Sequence, residues 1–260
     1  MSNTPTSPKP HHIVIAGGCH VNGFPIGGSS SFVRVMLQSD PYAHPSTIAP
    51  ICLRNCSSLL CHLREHPADV LVLQFGNYET LASIKKHLRA ILHLSRRKHD
   101  NSESAGSQLS PDALFDSTPQ WRIRVLCKLA YGCTIGHIHP ALFDANTFGG
   151  QCEQLLSDLA HLQQNAPRLV IFLSPIPCAD PLISRYRRQA AGIIRRLCDT
   201  ASSHFPFQVR YVDSAQALGI TTKTTQALHA RIFADDLHLN GRGHLLLGVA
   251  LATILQTNLV

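Results

Sequence analysis

Short apolar runs recur along the chain, and none of them alternates cleanly between apolar and polar residues. Continuous apolar runs of this kind are typical of strands in a parallel sheet that is covered on both faces. The pattern predicts a buried strand at each run. The strands are His12–Ala16, Thr47–Leu53 (interrupted by Pro50), Asp69–Phe75, Arg168–Leu173 and Val209–Val212.

Apolar residues between these runs repeat every three to four positions, as on the buried face of a helix. One such helix is expected over residues 81–91, and others are predicted at Gln151–Gln164, Leu182–Cys198 and Gly241–Leu255. Strands that alternate with helices indicate βαβ units. The expected fold class is therefore α/β, as one three-layer α/β/α domain with a doubly wound, five-stranded parallel sheet.

Two segments follow neither pattern. Residues 1–10 are polar and lack the basic start and apolar run of a secretory signal, so we interpret them as the flexible tail of a cytoplasmic protein. Residues 101–120 are rich in Ser, Pro and acidic residues, which favours a mobile insertion. The predicted domain spans residues 11–260.

Composition narrows the class of protein. With 260 residues and 44% hydrophobic content, the chain is long enough for one sizeable core. No apolar run is long enough to predict a transmembrane helix. The nine cysteines form neither a dense disulfide framework nor a zinc-binding spacing, so no metal site is expected.

The formal net charge is +7, but the basic residues are scattered and are not interleaved with aromatic ones. This distribution does not indicate a nucleic-acid surface. The charge is compatible with an acidic partner.

The first candidate for chemistry is Cys19, which follows the first strand and two glycines. That position predicts a thiol at the start of a helix, where the helix dipole favours the thiolate. His20 is expected to point elsewhere, since neighbouring residues on a helix do not face each other. The alternative is that Cys19 is a small residue filling a crowded turn.

Two further blocks supply partners for a nucleophile. Asp235 and His238 are three residues apart, and a carboxylate at that distance can hold an imidazole in one tautomer. Gly76 allows a sharp turn after the third strand, and the Asn77 amide can donate hydrogen bonds to a developing oxyanion. The alternatives are a simple helix cap at Asp235, a surface histidine at 238 and an ordinary turn at Gly76.

In their order along the chain, these blocks resemble the SGNH (GDSL-type) hydrolase superfamily. Its members carry GDSxxxG after the first strand, GxND after the third and DxxH near the C-terminus. Gly17, Cys19 and Gly23 match the first block at its spacing, with Gly18 in place of Asp and Cys19 in place of Ser. The resemblance covers residues 12–257 and implies a flavodoxin-like strand order.

The last block is matched in full by Asp235 and His238, whereas the other two blocks depart from the family pattern. Gly76 matches the glycine of GxND, but Tyr78 stands where the family has its oxyanion Asn, and Asn77 comes one position early. The family also has an oxyanion glycine after the second strand. Residues 53–57 contain no glycine, so a backbone N–H of Asn55 or Cys56 is the candidate there.

The resemblance implies a cysteine-dependent acyl-transfer enzyme, either an esterase or thioesterase or an acyltransferase, which needs no cofactor. Cys19 would attack the carbonyl, His238 would act as the base and Asp235 would orient it. The oxyanion or substrate-binding residues would be Asn77, Gly76, Tyr78 and Asn55. A small-molecule or carrier-bound acyl substrate is expected, and the basic charge would suit an acyl carrier protein. The alternative function is a non-catalytic SGNH-fold binding protein.

Overall fold

A computed structural model describes residues 11–38, 43–80, 143–178, 181–201, 203–221 and 226–259. The chain divides into two compact units, one formed by Met1–Thr80 and Ala145–Val260 and the other by Leu81–Asp144. All helices and strands named below belong to the first unit. The predicted tail, the helix expected at 81–91 and the insertion at 101–120 lie outside the described residues.

The first unit contains a five-stranded sheet with the order β2-β1-β3-β4-β5, in which every pair of neighbours is parallel. This is the flavodoxin-like, doubly wound α/β arrangement expected from the sequence. Four strands lie within one residue of their predicted ends. The strands are β1 (His11–Gly17), β2 (Ala43–Ile48), β3 (Val70–Gln74), β4 (Leu169–Leu173) and β5 (Gln208–Val212).

The second strand is the exception, because the prediction of Thr47–Leu53 was wrong and β2 lies earlier in the chain. β2 is an edge strand, where the missing N–H of Pro45 is tolerated. Pro50, just after the strand, has no backbone N–H and so cannot donate a hydrogen bond to the neighbouring strand. The Ile51 N–H still donates to Gly17 O at 2.9 Å, and Leu53–Asn55 forms a 3₁₀ turn.

Helices connect the strands, and three of them overlap helices predicted from periodicity. The third helix begins six residues before its predicted start, whereas the last begins at Gly241 as expected. The shorter helices were not predicted from the sequence. The helices are α1 (Phe32–Gln38), α2 (Ser57–Glu65), α3 (Ala145–Ala160), α4 (Pro181–Ala201), α5 (Ser214–Ala217), α6 (Gln226–Ile232) and α7 (Gly241–Leu259).

Both faces of the central strands β1, β3 and β4 are buried. Ile15 and Ile171 form one core cluster with Phe32 of α1 and Leu251 of α7. Val14 is equally buried but points to the opposite face, because successive strand residues alternate. The buried residues of α3 and α4 lie outside the first cluster, and these two helices pack against each other.

Parallel pairing brings the carboxyl ends of neighbouring strands to one edge of the sheet. The segment after β1 carries Cys19 and the segment after β3 carries Asn77 and Tyr78. Because β1 and β3 are adjacent, these residues are neighbours in space although they are distant in sequence. Within the ranges that the structure describes, none of the helices combines the length and the apolar character needed to cross a membrane.

Candidate active site

Cys19 lies in a series of turns, and the expectation that it begins a helix was wrong. Residues 18–26 form turns, and the following α-helix starts only at Phe32. Gly23 and Gly27 adopt positive φ angles of 76° and 95°, and Pro25 lies between them, so a continuous helix cannot form here. The turns hold the thiol at intermediate exposure without help from a helix dipole.

Asp235 and His238 form a hydrogen-bonded pair, as their spacing predicts. His238 Nδ1 lies 3.0 Å from Asp235 Oδ1 and 2.9 Å from Oδ2. Asp235 Oδ1 also accepts from the backbone N–H groups of Leu237 and His238, at 2.7 and 2.8 Å. One carboxylate therefore shapes the tight turn and fixes the imidazole.

Electrostatics favours a charged His238–Asp235 pair. Burial opposes the charged form of each group, but other interactions outweigh it. Hydrogen bonds and charge from Cys19 and Asp235 raise the pKa of His238 above its usual value. Hydrogen bonds from His238 and Leu237 lower the pKa of Asp235. An imidazole that is coupled to both a thiol and a carboxylate can accept and return a proton.

His20 is also in contact with the thiol, so the expectation that it points elsewhere was wrong. Its Nδ1 lies 3.6 Å from Cys19 Sγ, because residues 18–26 form turns rather than a helix. The His20 and His238 rings lie 5.5 Å apart. Burial, followed by the nearby His238 and Arg187, holds the pKa of His20 well below its usual value. His20 is therefore a neutral neighbour of the thiol, whereas His238 is the histidine that readily carries charge.

Asn77 is buried beneath this cluster, with 4% of its surface exposed. Its Oδ1 accepts from the Ile176 N–H at 2.9 Å, and its Nδ2 lies 3.3 Å from His20 Nδ1. An amide nitrogen can only donate, so His20 Nδ1 accepts. Asn77 thus links the segment after β4 to His20, and both ends of its amide are engaged.

Tyr78 reaches the nucleophile directly. Its hydroxyl accepts a hydrogen bond from the Cys19 N–H at 3.0 Å. The ring also covers Gly18, where a Cβ atom would lie 2.5 Å from Tyr78 Cε2. Tyr78 therefore occupies the space beside the thiol that a larger residue at position 18 would fill.

Glu79 ties the segments after β2 and β3 together. Its Oε1 accepts from the Leu53 N–H at 2.9 Å and its Oε2 from the Gly76 N–H at 2.7 Å. Burial raises the pKa of Glu79, although these hydrogen bonds partly stabilise its charge. Gly76 has a φ of 96°, which allows the sharp turn expected from the sequence.

Asn55 is exposed and makes local contacts. Its N–H donates to Cys52 O at 2.9 Å, and its Oδ1 accepts from Ser57 Oγ at 3.3 Å. The structure thus brings Cys19, His238, Asp235 and Tyr78 together and gives Asn55 local partners of its own.

Sequence reasoning did not find the roles of His20, Glu79 and His244. His244 is fully buried beside His20, with ring centroids 6.2 Å apart, and its Nδ1 accepts from the Phe32 N–H. Only the adjacency of His20 to Cys19 was visible in the sequence. Across the described ranges, no three His, Cys, Asp or Glu side chains are arranged to hold a metal ion.

Comparisons with known proteins place this fold among solved hydrolases. No protein-family model matches the chain, and no curated protein sequence matches it. Among solved structures, the chain is similar to LAE5, an alpha/beta hydrolase enzyme from the metagenome of Lake Arreo, with 12% identity, a TM-score of 0.56 and 95% of each chain covered. It is also similar to the acetylxylan esterase Axe2 from Geobacillus stearothermophilus, with 12% identity, a TM-score of 0.52, and 96% of this chain and 94% of that chain covered. At these identities the likeness establishes a shared fold.

Proposed function

We propose that this chain is a cysteine-dependent acyl-transfer enzyme that works through an acyl-Cys19 intermediate. The observation that carries the proposal is the coupling of His238 to both Cys19 and Asp235. The fold, which is shared with an acetylxylan esterase, supports an ester or thioester substrate. SGNH-type chemistry with Cys19 in place of serine is the form that these observations favour.

In the first half-reaction, Cys19 Sγ attacks the carbonyl carbon and forms an S–C bond. Its proton moves to Nε2 of His238, because Nδ1 is bound to Asp235. The carbonyl π electrons move to the oxygen, which becomes an oxyanion close to the backbone of Cys19, where a hydrogen-bond donor would stabilise it. Collapse breaks the bond to the leaving group, and His238 returns the proton to that group.

In the second half-reaction, an acceptor takes the acyl group from Cys19. His238 removes a proton from water, an alcohol or an amine as it attacks the thioester carbonyl. The S–C bond breaks and the thiol regains its proton from His238. Water gives hydrolysis and the other acceptors give transfer, so one site serves both reactions.

The environment of Cys19 differs from that of the buried cysteines. Cys152 and Cys198 are buried in the core, and burial raises the pKa of the Cys198 thiol to about 12. A thiol that stays protonated is a poor nucleophile. Cys19 differs from both in being partly exposed, and its Sγ lies 3.6 Å from an imidazole nitrogen of His20.

A neighbouring surface suits an apolar group on the substrate. Phe24 is 52% exposed, and its ring forms a T-shaped contact with the His238 ring at a centroid distance of 4.8 Å.

The formal charge of +7 is compatible with an acyl chain delivered by an acidic carrier protein. Carrier delivery predicts an association with acyl carrier protein that weakens with salt, and the absence of such an association would favour a free small-molecule donor.

Intact-mass measurement with a panel of activated esters and thioesters tests the proposed function. The wild type is expected to gain one acyl group on Cys19, and Cys19→Ala is expected to gain none. Cys61→Ala is the matched control, because Cys61 is an exposed cysteine on α2. A wild type that gains no acyl group from any donor would contradict the proposal and favour a non-catalytic binding protein.

A further inference from the structure

The Tyr78 hydroxyl lies beside the backbone of the proposed nucleophile. It accepts from the Cys19 N–H at 3.0 Å, and the amide of the nucleophile is a common donor to an oxyanion. An oxyanion that forms close to this amide therefore lies beside the phenol oxygen, within reach of its O–H. A phenol accepts and donates at the same oxygen, so it can keep one role while it performs the other.

The hydrogen bonds of three other polar groups at this edge go to residues other than Cys19. The Asn77 amide is buried and engaged with Ile176 and His20 at its two ends. The N–H groups of Leu53 and Gly76 both donate to Glu79. Among these groups, the Tyr78 hydroxyl is the one that is hydrogen-bonded to the Cys19 amide, as the acceptor of its N–H.

Gly18 makes this position of the phenol possible. A Cβ atom at residue 18 would lie 2.5, 2.9 and 3.3 Å from Tyr78 Cε2, Cδ2 and Cζ. An aspartate at position 18, as in the GDS block, would therefore clash with the ring. The two departures from the SGNH pattern, Gly18 for Asp and Tyr78 for Asn, are explained by one contact.

We propose that Tyr78 is a catalytic residue whose hydroxyl donates a hydrogen bond to the oxyanion, and that Gly18 provides the space for its ring. This inference rests on the proposed acyl-transfer function. During attack, the Cys19 proton goes to His238, and the Tyr78 proton stays on the phenol oxygen. The phenol forms a hydrogen bond to the new oxyanion while the S–C bond forms, and releases that bond when the carbonyl is restored.

Acceptance from the Cys19 N–H polarises the phenol and makes it a stronger donor, because linked hydrogen bonds reinforce one another. Loss of one oxyanion donor typically slows the chemical step by about 10²- to 10³-fold. Tyr78→Phe removes the hydroxyl but keeps the ring that packs on Gly18. This substitution therefore isolates the donor from the packing.

The test compares two reactions of the same thiol. Rates of Cys19 acylation by 4-nitrophenyl acetate and of alkylation by iodoacetamide are measured for the wild type, Tyr78→Phe and Tyr211→Phe. Alkylation attacks a saturated carbon and creates no oxyanion. We expect Tyr78→Phe to slow acylation by about 10²-fold or more while alkylation changes less than about threefold. Tyr211→Phe removes a hydroxyl from β5 and is expected to leave both rates unchanged.

A second measurement uses a trifluoromethyl ketone, which captures the thiol as a tetrahedral adduct with a charged oxygen. Tyr78→Phe is expected to weaken this adduct by a factor similar to its effect on acylation.

Equal or faster acylation in Tyr78→Phe would overturn the inference and indicate that the phenol only blocks the oxyanion position. Parallel losses in acylation and alkylation would also overturn it, because they would indicate a disturbed thiol. If the wild type is never acylated at Cys19, the result contradicts the proposed function as well. If the wild type is acylated normally and Tyr78→Phe is acylated at the same rate, the result contradicts this inference alone.

Discussion

The two halves of the site were encoded in the sequence to different degrees. The proposed base half, Asp235 and His238, was predicted from a three-residue spacing, and its partners lie within one turn of chain. The proposed oxyanion half is built from contacts such as Tyr78 with Cys19 and Asn77 with Ile176, which are 59 and 99 residues apart. Short-range geometry is visible in a motif, whereas long-range geometry depends on how the strands pair. The comparison predicts that changes in the base half affect proton transfer and that changes in the oxyanion half affect carbonyl chemistry.

The largest effect is expected for His238→Ala. Loss of the base should slow Cys19 acylation by about 10³- to 10⁴-fold, because no other group in the proposed mechanism takes the thiol proton. Added imidazole should restore part of the rate. Stopped-flow acylation measures both effects, with the exposed His204→Ala as the matched control. A loss smaller than that caused by Tyr78→Phe would reverse the ranking of the two halves.

Within the base half, Asp235→Asn is expected to have a smaller effect than His238→Ala, a loss of about 10- to 100-fold in acylation rate, because the imidazole is retained. The Asn oxygen can still accept from the Leu237 and His238 N–H groups, so the turn is retained. Its amide no longer favours the imidazolium, and each pKa unit corresponds to about 1.4 kcal/mol. NMR titration should show a lower pKa for His238, because Asp235 helps to raise it. Asp236→Asn is the matched control, and an unchanged His238 titration in Asp235→Asn would contradict the assignment.

Gly18→Ala tests the contact that joins the two halves. The new Cβ would lie 2.5 Å from the Tyr78 ring, and overpacking of this kind typically destabilises a fold by about 1–3 kcal/mol. Urea unfolding measures the change. Gly150→Ala is the control, since a Cβ there would meet no atom within 4 Å.

The double variant Gly18→Ala/Tyr78→Ala sharpens this test. Removing the ring removes the clash, so the double variant should lose less stability than the sum of the two single changes. Changes that add to within about 0.5 kcal/mol would show that the two positions are not coupled.

His244, which lies beside His20, is expected to make the stability of the fold sensitive to acid. Burial lowers the pKa of His244 to about 4 from its usual value of 6.5. Between these two pH values, this histidine is protonated in the unfolded chain but neutral in the folded chain. Its contribution to the free energy of unfolding should fall by about 1.4 kcal/mol per pH unit from pH 6.5 toward pH 4. His238 has the opposite sign: its raised pKa contributes stability at low pH, which is lost as the pH rises through the native pKa.

His244→Asn isolates this effect, because Asn can still accept from the Phe32 N–H. Unfolding in urea at several pH values should give a shallower loss of stability in acid for His244→Asn than for the wild type. Identical slopes would exclude His244 as a source of the acid sensitivity.

Much of the fold could be predicted because its strands are continuous apolar runs. β1, β3 and β4 are recognisable without tertiary information, since burial on both faces demands mostly apolar side chains. β5 is an edge strand with exposed Gln208 and Arg210, and only its short run of apolar residues indicated it. β2 was misplaced because an edge strand tolerates Pro45 and needs fewer apolar residues. Edge strands and short helices carry weak patterns, so their limits depend on the neighbours they pack against.

The site was predictable only where spacing alone fixes geometry. His20 was misjudged because a helix was assumed after β1, whereas Gly23 and Gly27 turn the chain. The roles of Asn77 and Glu79 depend on which backbone groups lie nearby, and no residue pattern specifies those groups. The positions of Cys19, His238 and Asp235 as a catalytic triad remain a prediction that the proposed experiments test.

The close approach of Tyr78 to Gly18 also restricts the order in which this site can change over generations. A chain that acquires a side chain at position 18 while the tyrosine is present passes through a clashing intermediate. A chain that first replaces the tyrosine loses its hydrogen bond to Cys19 but opens the space for a later aspartate. The two routes between this site and a GDS-type site are therefore unequal, and the accessible one begins at residue 78.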